Sequence, residues 1–225
     1  HQSSSSMSPF VWSVLNILTV VNAYTASNIR DIYNNYKANG WKYQQYIACL
    51  DPLHEESTAR PYSLSPKLYG EFLCQLFDLW YKDWKKGKAP YIRDFENYIG
   101  ILMGHSPEAC SQRGICSVQG VVEADGSVYP CDFYALDEYR LGNFHENKVT
   151  DFLENENAKR FVAESKKLSG ICKTCEHYAL CRGGCRRTRI KEAGTDTYRS
   201  CFCESYQMFF GHTAERMKEI AKFLS

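Results

Sequence analysis

The chain has 225 residues, 44% of them hydrophobic, with 27 basic and 26 acidic side chains. That length allows one large packed domain or two small ones, and a net charge of +1 argues against a general nucleic-acid binder, which carries a basic excess. No apolar run reaches the ~20 residues a bilayer requires, and the opening HQSSSSMSPF has no charged region followed by an apolar one, so neither a membrane span nor export is indicated and a cytoplasmic location is expected.

His1 and a serine run open the chain. Residues 1–10 are expected to be disordered or foreign, and the whole to be a fragment, because the first strand-like segment has nothing upstream to pair with. That segment, VWSVLNILTVV from Val11 to Val21, is rich in β-branched residues and reads as a buried strand. Ser27 can cap a helix running to Lys37, with Ile29, Ile32, Tyr33 and Tyr36 on one face and Gly40 as its stop. Lys42 to Leu50 reads as the next strand, and His54 to Leu64 as a loop. Strand, helix and strand at this spacing suggest a βαβ unit of a parallel sheet or barrel. Ser65-Pro66 opens a long helix to about Lys86, whose apolar stripe is Leu68, Phe72, Leu76, Leu79 and Trp80. A shorter helix covers Arg93 to Leu102.

From about Gly104 the texture changes. SVQGVVEADGSVYPCDF contains two short strands around Asp125-Gly126, a strong hairpin signal. A helix from Thr150 to Lys166 follows, then a dense run of cysteines. The last helix spans Glu204 to Leu224, with Phe209, Met217, Ile220 and Phe223 as expected core residues. The expected organisation is a first α/β part over residues 11–103 and a second, α+β part over residues 104–225.

Eleven cysteines are present. Cys49 and Cys74 lie among apolar neighbours and read as small core residues. Eight others form an array: Cys110, Cys116, Cys131, Cys172, Cys175, Cys181, Cys185 and Cys203. Disulfide frameworks belong to short secreted chains, so metal binding is the better reading. Thiolate is a soft ligand for zinc or iron–sulfur clusters. Four-cysteine zinc sites usually pair two C-x2-C knuckles, but the array has one such pair, Cys172 and Cys175. Its other gaps suit iron–sulfur runs better, and eight thiols are what two four-cysteine sites need. Cys201 lies outside the register and is the weaker alternative to Cys203.

The whole string, C-x9-G-x4-C from Cys116 to Cys131, then C-x2-C-x5-C-x3-C from Cys172 to Cys185, then Cys203, resembles the SPASM domain of radical S-adenosylmethionine (SAM) enzymes. The flanking VEADGSVYPCDFY and LCRGGCRR resemble the anaerobic sulfatase-maturating enzymes. ILTVVNAYTASNI and IACLDPLHEE look like the last strands of that family's partial (β/α)6 barrel. The expected fold is therefore α/β: the end of such a barrel followed by a small SPASM domain with a β-hairpin.

The resemblance implies a chemistry. Family members convert a cysteine or serine in a C/S-x-P-x-R motif of a sulfatase to Cα-formylglycine. SAM, cleaved at its own [4Fe–4S] cluster, yields a radical that takes hydrogen from the target Cβ. Two auxiliary [4Fe–4S] clusters sit in the SPASM domain. Carried over by motif, Cys110, Cys116, Cys131 and Cys185 would hold the first, and Cys172, Cys175, Cys181 and Cys203 the second. Asp132 would be the general base that deprotonates the target residue; read without the family, it is an acidic residue in a turn. Leu50 would touch SAM at the barrel mouth; read alone, it is a core leucine. His177 reads as a loop residue. Arg182, Arg186, Arg187 and Arg189 read either as a solvated basic face or as compensation for negatively charged clusters. An electron donor such as flavodoxin or ferredoxin, a sulfatase polypeptide as substrate and a monomeric state are further expectations.

One departure matters. The C-x3-C-x2-C motif that holds the family's SAM cluster does not occur in this sequence. This chain alone is expected to be inactive, and SAM with a third cluster belongs to the intact enzyme. Two other functions remain open: maturation of a different peptide by thioether formation or epimerisation, and a non-catalytic, metal-stabilised peptide-binding module.

Overall fold

A computed structural model describes residues 15–52 and 60–225. The expectation for residues 1–10, the front of the first strand and the front of the loop at His54 lie outside the described residues. Strand β1 (Asn16–Val21) pairs in parallel with β2 (Tyr43–Ala48), and β2 with the short β3 (Tyr91–Ile92). Helices α1 (Ala23–Ser27) and α2 (Ile29–Ala38) connect the first two strands, and α3 (Pro66–Trp84) leads towards β3. The parallel βαβ arrangement read from the sequence is present. The strand expected to be fully buried is covered on one face only: Thr19 and Val21 are buried, while Leu18 and Val20 are exposed.

The expected cap at Ser27 is displaced. Asn22 caps α1 by accepting from the Thr25 amide, and Ser27 Oγ donates back to the Ala23 carbonyl at 2.9 Å. Ser27 therefore ends one helix, and α2 begins after Asn28. Gly40 adopts φ +70° beyond the end of α2, the left-handed stop that glycine permits. Ser65 does cap α3, through the Leu68 amide, with Pro66 in its first turn. Helix α4 (Arg93–Leu102) follows β3 directly.

The second part opens with the single turn α5 (Cys110–Arg113). Strands β4 (Val121–Val122) and β5 (Ser127–Tyr129) form the expected hairpin, and Asp125 Oδ1 accepts from the Ser127 amide at 2.9 Å. A third strand, β6 (Gly142–Asn143), adds to it. The helix expected over Thr150–Lys166 is two helices, α6 (Val149–Glu154) and α7 (Glu156–Glu164). Asn155 breaks it: its backbone is extended, its side chain caps α7, and its Nδ2 donates to the Leu141 carbonyl. Short helices α8 (Gly170–Thr174) and α9 (Tyr178–Cys181) carry the cysteine run. Strands β7 (Arg189–Lys191) and β8 (Tyr198–Ser200) form a second hairpin. Helix α10 (Cys203–Leu224) closes the chain.

One core joins both parts. Helix α10 lies along α3 and also touches α4. Between them Phe77, Trp80, Phe95 and Phe209 are all but inaccessible, with ring centroids 5.2 Å apart for Phe77–Phe95 and 5.3 Å for Trp80–Phe95. Trp80 Nε1 donates to the Pro90 carbonyl at 2.8 Å, so its polar edge is satisfied. Each such side chain contributes roughly 1.5–3 kcal/mol by burial. Phe209, Met217 and Ile220 are buried as expected, but Phe223 is 76% exposed. It stands on the last turn of α10, where its ring meets Trp84 in a T-shaped pair with centroids 5.5 Å apart.

Candidate metal centre

Cys110, Cys181 and Cys185 line one cavity with the end of β2. Cys110 opens α5, and Cys116 follows on a loop whose amide donates to Ser165 Oγ at 3.0 Å. Cys131 stands two residues beyond β5. Cys172 lies in α8, which Ser169 caps, and Cys175 ends that turn. Cys181 ends α9 and Cys203 begins α10. Between Cys181 and Cys185 the backbone turns through three left-handed residues, Arg182 (φ +48°), Gly183 (φ +81°) and Gly184 (φ +63°). Arg182 is the one non-glycine with positive φ among the described residues. The Cys110–Cys116 loop presses against this turn: a Cβ on Gly114, itself at φ +76°, would stand 2.7 Å from the Arg182 carbonyl oxygen. Glycine is required there both for the left-handed backbone and for the close approach.

Electrostatics sort the thiols into two sets. Burial pushes the Cys185 thiol up to about 11, and the charges of Cys110 and Cys116 add to the effect. Burial, then Asp132, push Cys131 up to about 12, with Cys185 also acting on it. Cys116 is raised by burial and also feels Cys110. In the other set, burial raises Cys181 to about 11, with Cys203, Cys172 and Cys175 contributing. Cys172 is raised by burial and then by Cys203 and Cys175, and Cys203 by burial, which Arg199 opposes and Cys175 reinforces. Thiols so placed resist ionisation unless a bound cationic centre neutralises them. Among the described residues no three His, Cys, Asp or Glu side chains converge tightly enough for a single metal ion. Each set offers four soft thiolates, the donors that iron–sulfur clusters take.

A cavity of about 260 Å³ opens beside the first set, lined by Leu50, Asp94, Cys110, Gln112, Asp132 and Cys185 among others. Leu50, just beyond β2, and Asp132, just beyond Cys131, thus face one space. Asp132 is exposed, and its Oδ1 accepts from the Cys131 thiol at 3.1 Å.

Sequence reasoning missed Asp94 and Gln112. Gln112 Nε2 donates to the Asp94 carbonyl at 3.3 Å, while its buried Oε1 has no hydrogen-bond partner among the described residues. Burial raises the Asp94 carboxyl to about 6, and Arg93 only partly offsets this. No pattern in the sequence marks Asp94, because Tyr98 on its own helix is joined around it by Tyr69 of α3 and Tyr206 of α10, far along the chain.

The sign of its effect on stability follows. The folded pKa lies above the ordinary 3.8, so the folded state holds the proton more tightly. The stability this adds is complete below about pH 3.8 and is lost as pH rises through about 6. Asp94→Asn is therefore expected to stabilise the chain by about 1–3 kcal/mol at pH 7.5, with the gain shrinking by about half at pH 5. Urea midpoints at the two pH values check this, and a gain independent of pH contradicts it.

The other expected residues separate cleanly. Cys49, Cys74 and Cys201 are partly buried and lie outside both sets; burial raises each of them, and the further influences come from Asp51, Asp78 and Arg187 rather than the array. His177 packs its ring 5.8 Å from Phe210. Arg186 pairs with Glu164 and lies over Tyr134 and Phe161, and Arg187 donates to the Asp51 carbonyl. The basic run is thus not simply a solvated face. No helix among the described residues is long and apolar enough to cross a membrane.

Comparison with known proteins agrees with this geometry. Residues 114–176 match the SPASM family, an iron-sulfur cluster-binding domain. A cysteine-type anaerobic sulfatase-maturating enzyme of Clostridium novyi (strain NT) is 42% identical over 93% of this chain and 56% of its own length. One of Clostridium perfringens (strain 13 / Type A) is 41% identical over 92% of this chain and 56% of its own. A serine-type enzyme of Bacteroides thetaiotaomicron is 29% identical over 93% and 54%. The structure of native anSMEcpe with bound AdoMet superposes with a TM-score of 0.88 at 41% identity, over 93% of this chain and 58% of that one; anSMEcpe is also known with AdoMet and a Cp18Cys peptide bound. The chain spans about half the length of the curated relatives it matches. Over the portion it spans, the chain belongs to the family of the anaerobic sulfatase-maturating enzymes.

Proposed function

We propose that this chain is the auxiliary-cluster portion of a radical SAM enzyme that oxidises a cysteine or serine of a sulfatase to Cα-formylglycine. The observation that carries this reading is one cavity lined together by Cys110, Cys181, Cys185 and Asp132. Residues 11–103 supply the last strand–helix units of a partial (β/α)6 barrel, and residues 104–225 the SPASM domain. Cys110, Cys116, Cys131 and Cys185 hold one [4Fe–4S] cluster, and Cys172, Cys175, Cys181 and Cys203 the other. When bound, the clusters supply an acceptor for the electron released by substrate oxidation. Asp132 takes the proton from the target side chain, and Leu50 packs against SAM. SAM and its own cluster belong to the part of the relatives' length that this chain does not span. A flavodoxin or ferredoxin serves as electron donor, and the protein is a monomer. The cysteine-type relatives are the more similar, at 41–42% identity against 29% for the serine-type enzyme, which favours cysteine as the target.

The test is metal analysis of the chain after anaerobic reconstitution. About eight irons and eight sulfides per chain are expected, as two four-iron sites require. Zinc without sulfide would overturn the cluster reading and favour a structural peptide-binding module.

A further inference from the structure

Arg189 lies where the Cys110–Cys116 loop meets the turn between Cys181 and Cys185. Its Nε donates to the Gly183 carbonyl at 3.0 Å, and its Nη2 to the carbonyls of Gly184 at 2.7 Å and Gly114 at 3.3 Å. Nη1 donates to the carbonyl of Ser165, whose Oγ accepts from the Cys116 amide. Gly114 lies between Cys110 and Cys116 of the first set. Gly183 and Gly184 lie between Cys181 of the second set and Cys185 of the first. One planar guanidinium therefore clasps both loops, a task its fork of donors can perform and a lysine's point charge cannot.

No carboxylate among the described residues pairs with Arg189. Among the described residues its hydrogen bonds all go to backbone carbonyls, whereas Arg186 next to it is paired with Glu164. Burial works against the Arg189 cation, and Cys116, Cys185, Cys172 and Cys181, two thiols from each set, lie near enough to favour it once they are ionised. Uncompensated charge in a partly buried site acts over longer distances than it would in water.

Resting on the reading that the two sets hold clusters, we propose that Arg189 is a positioning residue whose positive charge is shared by both auxiliary clusters and raises the reduction potential of each. A cube held by four thiolates carries net negative charge, and taking up one electron makes it more negative by one. A cation without a counter-anion stabilises the reduced state more than the oxidised one, so both clusters become easier to reduce. Since Arg189 reaches both sets, its loss is felt at both sites, unlike the loss of Arg186.

The experiment is a redox titration followed by electron paramagnetic resonance on the anaerobically reconstituted chain. This sequence has no C-x3-C-x2-C motif, so a third cluster does not obscure the signals. Arg189→Gln is expected to move both midpoint potentials to more negative values with iron content retained. Arg189→Lys, which keeps the charge, is expected to restore most of the shift. Loss of iron from the Gln variant but not the Lys variant also supports the proposal, because the charge is then needed for assembly. Unchanged potentials in the Gln variant, a shift at one cluster alone, or equal loss of iron from both variants would overturn it. A parent chain that takes up no sulfide overturns the cluster reading itself, and this inference with it.

Discussion

In the full reading frame that encodes this chain, Asp132→Asn is expected to lower formylglycine formation by about 10²–10⁴-fold, the range for loss of a positioned acid–base group. Oxidation of a thiol or hydroxyl carbon to the aldehyde level removes two electrons and two protons. One hydrogen leaves from Cβ, so a base must take the heteroatom proton as the second electron departs. Asp132 is the exposed carboxylate of the cavity that adjoins a thiol of the array, with its Oδ1 3.1 Å from Cys131 Sγ. Once Cys131 is a deprotonated ligand, that oxygen no longer accepts a hydrogen bond from it and is open to the substrate proton. Asn is nearly isosteric but cannot take a proton. SAM cleavage and iron content should therefore persist while product falls. Activity within a few-fold of the parent would remove Asp132 from the chemistry. Loss of iron together with activity would assign it to the support of Cys131 instead.

Local chemistry made much of this legible in the sequence. Ser65-Pro66 opened α3 where a cap and an N-terminal proline demand it, and Asp125-Gly126 turned the β4–β5 hairpin through its own side chain. The reading failed where a distant group decides. Ser27 looks like a cap, but Asn22 caps first. Asn155 breaks a continuous helical pattern because the Leu141 carbonyl, 14 residues away, is waiting for its amide. Phe223 keeps the helical period yet stays largely exposed beside Trp84. Asp94 and Arg189 also depend on distant groups: Tyr69 and Tyr206 close over the first, and the carbonyls of Gly114 and Ser165 receive the second. The SPASM resemblance was legible because cysteine spacing is itself local. How the register divides into two sets is not local, since it depends on the three left-handed residues before Cys185.

That division carries the second large effect. Cys185 is four residues from Cys181 and would be grouped with Cys172, Cys175 and Cys181 by spacing alone. The turn at Arg182, Gly183 and Gly184 swings it over, so the thiols acting on it are Cys110 and Cys116. Cys185→Ala is accordingly expected to remove about four of about eight irons, since each cube holds four, and to leave the cluster of the second set intact. Pairs of substitutions make the assignment strict. Cys110→Ala added to Cys185→Ala should cost no further iron, because both strip one site. Cys172→Ala added to Cys185→Ala should remove nearly all of it. Cys201→Ala should retain full iron, because Cys201 answers to Arg187 and Asp51 rather than to either set. If the Cys110 and Cys185 losses instead add, Cys185 belongs with its sequence neighbours, and the turn that carries it across has been misread.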